Sequence, residues 1–301
     1  MQTEIEQKIE RFVANVRAAK QYSEHTVTAY QSDLLQCSTF VQTNYSLSSV
    51  SELGHLSLRA WVVSLIKSEQ DPRTVRRKIA ALKAFFKDLI ARGECTDDPT
   101  RKIAAPKVAK RLPEVITEVH LANLFENVQF DNDFEGWRDK ILLDILYTTG
   151  LRRSELIQLT LKDIDTSNDY FRIKGKGNKV RLVPFGKPLK TSIRTYLEYR
   201  AAHGFGDNPH FLLTNKGLPI YDSLVYKKVH RYLSLVSTAE QRSPHVLRHS
   251  FATHLLDNGA DINAIKDLLG HSSLAATQVY TQNSIERLKE VYKQAHPKSE
   301  E

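Results

Sequence analysis

A few short stretches in the second half of this 301-residue chain carry side chains that could act together on a phosphate. They are Arg152, Lys176, the run from His245 through Arg248 to His249, His271 and Tyr280. Two arginines, two histidines and a lysine make an anion site. A guanidinium can fork two hydrogen bonds onto a phosphoryl group. Phosphoryl transfer needs mainly positioning and stabilisation of charge on the equatorial oxygens, and such a site offers both. A phenol such as that of Tyr280 has a pKa of about 10 and must lose its proton before it attacks, so a nearby histidine and a positive field would activate it. Taken singly, each residue also has a plainer reading. Arg152 could form a structural ion pair with Glu155, Lys176 could be a solvated turn residue, and Tyr280 could be half-buried core. Spacing alone does not bring these residues together.

The histidines also invite a metal reading, because His245 and His249 lie four apart on one helix face and His254 follows. Three observations oppose it. The segment His245-Val246-Leu247-Arg248-His249 has no acidic residue, Arg248 places a cation beside the site, and there is no CxxC pair to add ligands. The expectation is a site without metal and without a cofactor.

These residues need helices to hold them. Trp137–Thr149 reads as a helix stopped by Gly150, and a further helix starts at Ser154-Glu155-Leu156. Tyr170–Lys174 and Val180–Val183 are β-like runs around Gly175-Lys176-Gly177-Asn178-Lys179, a hairpin signal. From Tyr221 onward the pattern is helical, with breaks near Ser243-Pro244, Asn258-Gly259 and Gly270. Residues 1 to about 110 read as helical throughout. Asp97–Pro113 holds three prolines and five basic residues and reads as an exposed connection. The expected organisation is an N-terminal helical domain over 1–97, a linker over 98–113, and a mainly helical domain with a small antiparallel sheet over 114–301.

The first domain has its own signal. Asp71 suits an N-cap and Pro72 the first position of a helix running to about Ile90, with Gly93 beyond its end. At about 100° per residue, Val75, Ile79, Leu82, Phe85, Phe86 and Leu89 share one face. Arg73, Arg76, Arg77, Lys83 and Lys87 gather on the other, and no acidic residue interrupts the stretch. Solvated helix faces commonly alternate signs, because pairs four apart stabilise the helix. A one-sign face therefore predicts contact with DNA phosphates, with an ordinary solvated face as the plainer reading.

The totals agree. The formal net charge is +8, which favours a polyanionic partner. Residues 1–110 hold 17 Lys or Arg against 12 Asp or Glu, a net of +5, so charge is concentrated in the smaller part. Two distant cysteines, Cys37 and Cys95, fit reduced thiols and not a disulfide framework. The opening MQTEIEQKIERF looks like an amphipathic helix, not a signal peptide. No apolar run approaches the roughly 20 residues of a membrane span. A cytoplasmic protein without a membrane partner is expected.

At six positions, in order and spacing, the sequence resembles the tyrosine recombinases (the phage integrase family), and within them the Xer type. Thr149-Gly150-Leu151-Arg152 with Ser154-Glu155-Leu156 resembles the segment of the first catalytic arginine. Gly175–Lys179 followed by Arg181-Leu182-Val183-Pro184 resembles the lysine-bearing hairpin. His245–Leu255 resembles the HxxR helix. Leu268–Ser273 and Thr277–Thr281 resemble the last histidine and the nucleophile. The likeness extends more loosely over the first 110 residues, with Lys110-Arg111-Leu112-Pro113 at the interdomain linker, and Ile285–Lys298 resembles the Xer C-terminal tail.

The resemblance implies two helical domains forming a C-shaped clamp on DNA, with Arg152, Lys176, His245, Arg248, His271 and the nucleophile Tyr280 as catalytic residues. Arg153, directly beside Arg152, leaves the choice between the two resting on the GLR pattern, and Lys174 and Lys179 flank Lys176. It further implies a 3′-phosphotyrosyl intermediate, a Holliday junction, and resolution of chromosome dimers at a dif-like site in a nucleoid-associated protein. The implied partners are paired double-stranded DNA sites, recombinase subunits in a tetramer, identical or paralogous, that exchange their tails, and an accessory DNA translocase. A mobile-element integrase, a type IB topoisomerase and a catalytically silent DNA-binding relative are the competing readings.

Overall fold

The computed structural model describes residues 2–19, 22, 24–107, 114–175, 180–270 and 282–299, of which 282–285 by backbone alone. The chain divides into two compact units, Met1–Arg111 and Leu112–Glu301.

The first unit is built from α1 (Glu4–Ala18), α2 (Glu24–Tyr45), α3 (His55–Lys67) and α4 (Pro72–Ala91). Thr3 and Glu6 form a reciprocal capping box at the start of α1, satisfying two backbone donors that a helix start leaves free. Asp71 caps α4 by accepting from the Arg73 amide at 2.7 Å, with Pro72 in the first turn. The apolar face expected on α4 is the one buried: Val75, Ile79, Leu82, Phe85, Phe86 and Leu89 pack with Ile9, Phe12, Leu34 and Trp61. Phe12 meets Phe85 edge to face at 5.6 Å, the arrangement that aromatic quadrupoles favour. Part of the segment read as an exposed connection belongs to this core. Ile103 and Thr100 are buried, and the Pro99 carbonyl lies 3.2 Å from His55 Nδ1. The sequence signal came from prolines and basic residues, which do not report that one isoleucine can anchor a loop.

The second unit is mainly helical: α5 (Glu118–Glu126), α6 (Phe134–Thr149), α7 (Arg153–Gln158), α8 (Lys187–Ala202), α9 (Asp222–Val236), α10 (Pro244–Asp257), α11 (Ile262–Leu269) and α12 (Gln282–Ala295). One antiparallel sheet stands among them, in the order β1 (Ile164–Asp165), β2 (Tyr170–Lys174), β3 (Val180–Pro184). The β2–β3 register pairs Tyr170 with Pro184 and Lys174 with Val180, so the hairpin read from the sequence forms. The short strand β1, which pairs Ile164 with Phe171, carried no alternating pattern long enough to read. Helix α6 is buried on every side from Ile141 to Thr149, and such a central helix shows no amphipathic stripe.

The C-terminal segment packs within its own unit. Leu288, Tyr292 and Ala295 of α12 join Phe251, Leu255, Leu268 and Leu269 in a second cluster. Lys298 pairs with Asp144 at 2.8 Å and lies 3.7 Å over the Phe125 ring. The resemblance implied docking on a neighbouring subunit. In a single chain the apolar face of α12 buries itself on the surface at hand.

Candidate active site

Helix α6 ends because Gly150 adopts a left-handed backbone, φ +60°, which a residue with a Cβ adopts only under strain. A Cβ there would also lie 2.5 Å from the Phe251 ring and 2.9 Å from Leu269. Close approach of α6, α10 and α11 therefore requires this glycine. The turn places Arg152 at the start of α7. On α10, Pro244 sits in the first turn, and His245 and Arg248 follow three residues apart, as neighbours on one face. Helix α11 ends at Gly270, also left-handed at φ +64°.

Three guanidiniums converge on that end of α11. Arg181 Nε donates to the Leu268 carbonyl at 3.1 Å, Arg248 Nη2 to the Leu269 carbonyl at 2.7 Å, and Arg152 Nη2 to the Gly270 carbonyl at 3.2 Å. Arg248 also donates to the Gly150 carbonyl through Nη1. The last carbonyls of a helix lack partners within it and carry the negative end of its dipole, so they are natural acceptors for cations.

Glu155 is the single carboxylate in the cluster. Its Oε1 accepts from Arg152 Nη1 at 2.9 Å and Arg181 Nη1 at 2.8 Å. Its Oε2 accepts from the Arg152 amide and Arg181 Nη2, both at 2.8 Å. Burial pushes the Glu155 pKa up, but the Arg181 and Arg152 bonds outweigh it and hold the carboxyl below its ordinary value. With three guanidiniums against one carboxylate, the cluster carries a net of +2 when His245 is neutral.

The titrations follow from this crowding. Burial, then Arg152, pulls the Arg248 pKa down to about 10. Burial, then Arg153, Arg248 and Arg152, lowers that of His245. His245 is thus an uncharged imidazole at neutral pH, able to accept a proton. Arg153, the rival to Arg152, stays near enough to His245 to lower its pKa, while its Nε pairs with Asp222 of α9 at 2.8 Å. His254 is buried, with Nδ1 3.1 Å from the Tyr147 hydroxyl, so it belongs to the core. Among the described residues, no group of His, Cys, Asp and Glu could hold a metal ion.

The plain reading of Arg152 as an ion-pair partner of Glu155 holds, and its second guanidinium nitrogen is left to the Gly270 carbonyl, beside Arg248. Lys176, His271 and Tyr280 lie outside the described residues. Arg181, quoted above only as part of a motif, is the residue that sequence reasoning passed over. Its signal was present: in Val180-Arg181-Leu182-Val183 the two-residue period puts Arg181 on the same side as the buried Val183.

On α4, Arg73, Arg76, Lys83 and Lys87 are exposed, with Ala80 between them, and their three- and four-residue spacing forms one stripe. Arg77 departs from the expectation. It ion-pairs with the buried Asp33 of α2, which also binds Lys78 at 2.9 Å, and donates to the Ala29 carbonyl. The absence of acids within α4 did not reveal an acid supplied by another helix.

Comparison with known proteins adds the lineage. Residues 114–287 match the model of the phage integrase family, and residues 9–93 match that of its N-terminal SAM-like domain. The chain is 38% identical over 298 residues to the tyrosine recombinase XerC of Pelobacter propionicus, covering 97% of this chain and 96% of that one. It is 34% identical to the XerC of Chlorobaculum parvum, covering 96% and 94%. A crystal structure of the XerH site-specific recombinase bound to palindromic difH, in a post-cleavage complex, shares the fold at a TM-score of 0.69 and 21% identity, covering 97% of each chain. The Tn1549 transposon integrase in complex with transposon right-end DNA does so at 0.66 and 18%, covering 94% and 98%. No helix among the described residues is long and apolar enough to cross a membrane. The matches span both units and nearly the whole length: the chain belongs to the phage integrase family, as a tyrosine recombinase of the Xer type, an enzyme that cleaves and rejoins DNA.

Proposed function

We propose that this recombinase breaks DNA by attack of Tyr280, its proton passing to His245 or His271, on the scissile phosphate, giving a 3′-phosphotyrosyl bond and a free 5′-hydroxyl. Arg152 and Arg248 hold the non-bridging oxygens, exchanging some carbonyl contacts at the end of α11 for phosphate oxygens. His245 and His271 hydrogen-bond the phosphoryl group, and Lys176 protonates the departing 5′-oxygen. The observation that carries this reading is the meeting of Arg152 and Arg248 on adjacent carbonyls, Gly270 and Leu269, immediately before His271. The net charge of +2 matches the roughly two negative charges of a pentacoordinate phosphoryl transition state. The phosphotyrosyl bond conserves the energy of the phosphodiester, so rejoining needs neither ATP nor metal. A partner strand's 5′-hydroxyl then attacks, forming a Holliday junction.

The substrate is double-stranded DNA in paired sites, gripped through the Arg73–Lys87 stripe of α4. Catalysis takes place in a tetramer of identical or paralogous subunits whose tails exchange, with an accessory translocase as regulator. The XerC relatives support resolution of chromosome dimers at a dif-like site by a cytoplasmic, nucleoid-associated enzyme; 98–113, whose Thr100 and Ile103 anchor it to the first domain, joins domains 1–97 and 114–301, which close on DNA as a clamp.

The test is a duplex nicked beside a dif-like site, incubated with the protein in EDTA and run on a denaturing gel. A covalent protein–DNA adduct with wild type and none with Tyr280→Phe supports the assignment. An adduct with Tyr280→Phe overturns it, and cutting that requires added metal returns the histidines to consideration as ligands.

A further inference from the structure

Arg181 is 5% exposed, too buried to touch DNA, yet it binds the carboxylate that holds Arg152 and the end of α11 that Arg152 and Arg248 also reach. It lies on β3, two residues past the end of the lysine-bearing segment Gly175–Lys179, paired with Ile173. Its guanidinium forks onto both oxygens of Glu155 while Nε reaches the Leu268 carbonyl. Its side chain also fills the space at Gly270, where a Cβ would lie 3.0–3.1 Å from Arg181 atoms.

An ionised carboxylate has about four acceptor positions. On Glu155 all four are taken: two by Arg181, one by the Arg152 amide and one by Arg152 Nη1. Arg152 is therefore held by a single guanidinium bond to the carboxylate, and its Nη2 turns to the end of α11. Without Arg181, two acceptor positions open. A free carboxylate beside a guanidinium favours a bidentate pair, which would draw Arg152 away from the phosphate.

We propose that Arg181 is a positioning residue for strand cleavage, saturating Glu155 so that Arg152 stays available to the scissile phosphate, and tying the β2–β3 hairpin to the end of α11. The inference rests on the reading of Arg152 as a phosphate-holding residue. It differs from a purely structural role, because a buried ion pair can often be replaced by apolar side chains without loss of stability.

The experiment compares full-length wild type with Arg181→Met, Arg181→Lys, the double variant Glu155→Gln with Arg181→Met, and Arg152→Ala. Single-turnover adduct formation on the nicked duplex, DNA affinity and thermal unfolding are read for each. Arg181→Met should slow adduct formation by about 10²-fold, the scale on which misplaced groups act, with DNA affinity within a few-fold. Arg181→Lys keeps the charge but not the fork, and should recover little. The double variant removes the unpaired carboxylate that would draw Arg152 away, so its melting temperature and much of its cleavage rate should return together. Guanidinium at millimolar concentration should partly rescue an Arg181→Ala variant, and methylammonium should not. Cleavage by Arg181→Met at the wild-type rate overturns the inference, as does a double variant that regains stability and stays slow. If Arg152→Ala cleaves normally, the fault lies with the phosphate-holding reading; if Arg152→Ala is inactive and Arg181→Met is not, Arg181 alone loses its role.

Discussion

Two groups of cations in this protein are built in opposite ways. On α4 of the first unit, Arg73, Arg76, Lys83 and Lys87 stand in water. In the second unit, Arg152, Arg181 and Arg248 are held by a carboxylate and by the carbonyls at the ends of α6 and α11. Exposed cations on long side chains bind any phosphate backbone by releasing counterions, and their contribution falls with salt. Guanidiniums fixed before substrate arrives cost little reorganisation when charge develops on a phosphoryl group, and a partly dry site strengthens each contact. On the proposed function, the first arrangement would set how tightly DNA is held and the second how fast it is cut.

Substitutions that separate grip from cutting test this contrast. Arg248→Ala should have the largest effect, slowing adduct formation by about 10²–10³-fold while DNA affinity stays within a few-fold. A comparable loss of affinity would mean that the two groups share one job. Replacing Arg73, Arg76, Lys83 and Lys87 together by alanine should do the reverse. The slope of log affinity against log salt should fall by about 3–4, near 0.9 per lost phosphate contact, with the cleavage rate of saturated complex little changed. Retention of the full slope would leave the stripe merely solvated.

Arg77→Ala sharpens the comparison within one helix. Because Arg77 is bound to the buried Asp33, which keeps Lys78, the variant should lose about 1–3 kcal/mol of stability in denaturant unfolding. Its salt slope should barely move; a drop near 0.9 would return Arg77 to the DNA-facing set.

The smallest effect concerns the tail. Burial pushes the His296 pKa down to about 3, while Tyr147, Phe251 and Tyr292 pack on its ring and Lys298 and His254 add positive charge nearby. The folded state thus binds fewer protons than the unfolded chain. Its contribution is complete above the ordinary histidine pKa of about 6.5 and declines as pH falls from there toward 3. Proteolysis of the C-terminal segment, compared between pH 7.5 and pH 5, should accelerate in wild type and lose that pH dependence in His296→Phe.

Much of the fold was legible locally. The apolar face of α4, the Asp71 cap and the Gly150 and Gly270 stops all rest on interactions within one helix turn of the signal. The hairpin of β2 and β3 was legible because alternation and a glycine-rich spacer lie side by side in the chain. Helix α5 after Thr117 and the short strand β1 were weaker signals, since nine and two residues give little periodicity to read.

The amino-acid order by itself therefore determined the helices, the basic stripe and the set of residue types from which the site is made, because capping, periodicity and backbone conformation act over a few residues. Only the tertiary structure decided which arginine does what. Arg152 and Arg153 are neighbours of the same chemistry, and their separation depends on Gly270 lying beside one and Asp222 beside the other. Arg76 and Arg77 diverge for the same reason, through Asp33 on a different helix. Arg181 became a bond to Glu155 and Leu268 only when β3 met α7 and the end of α11. A charged side chain takes its role from the partner that desolvates it, and these partners lie 26 to 118 residues away.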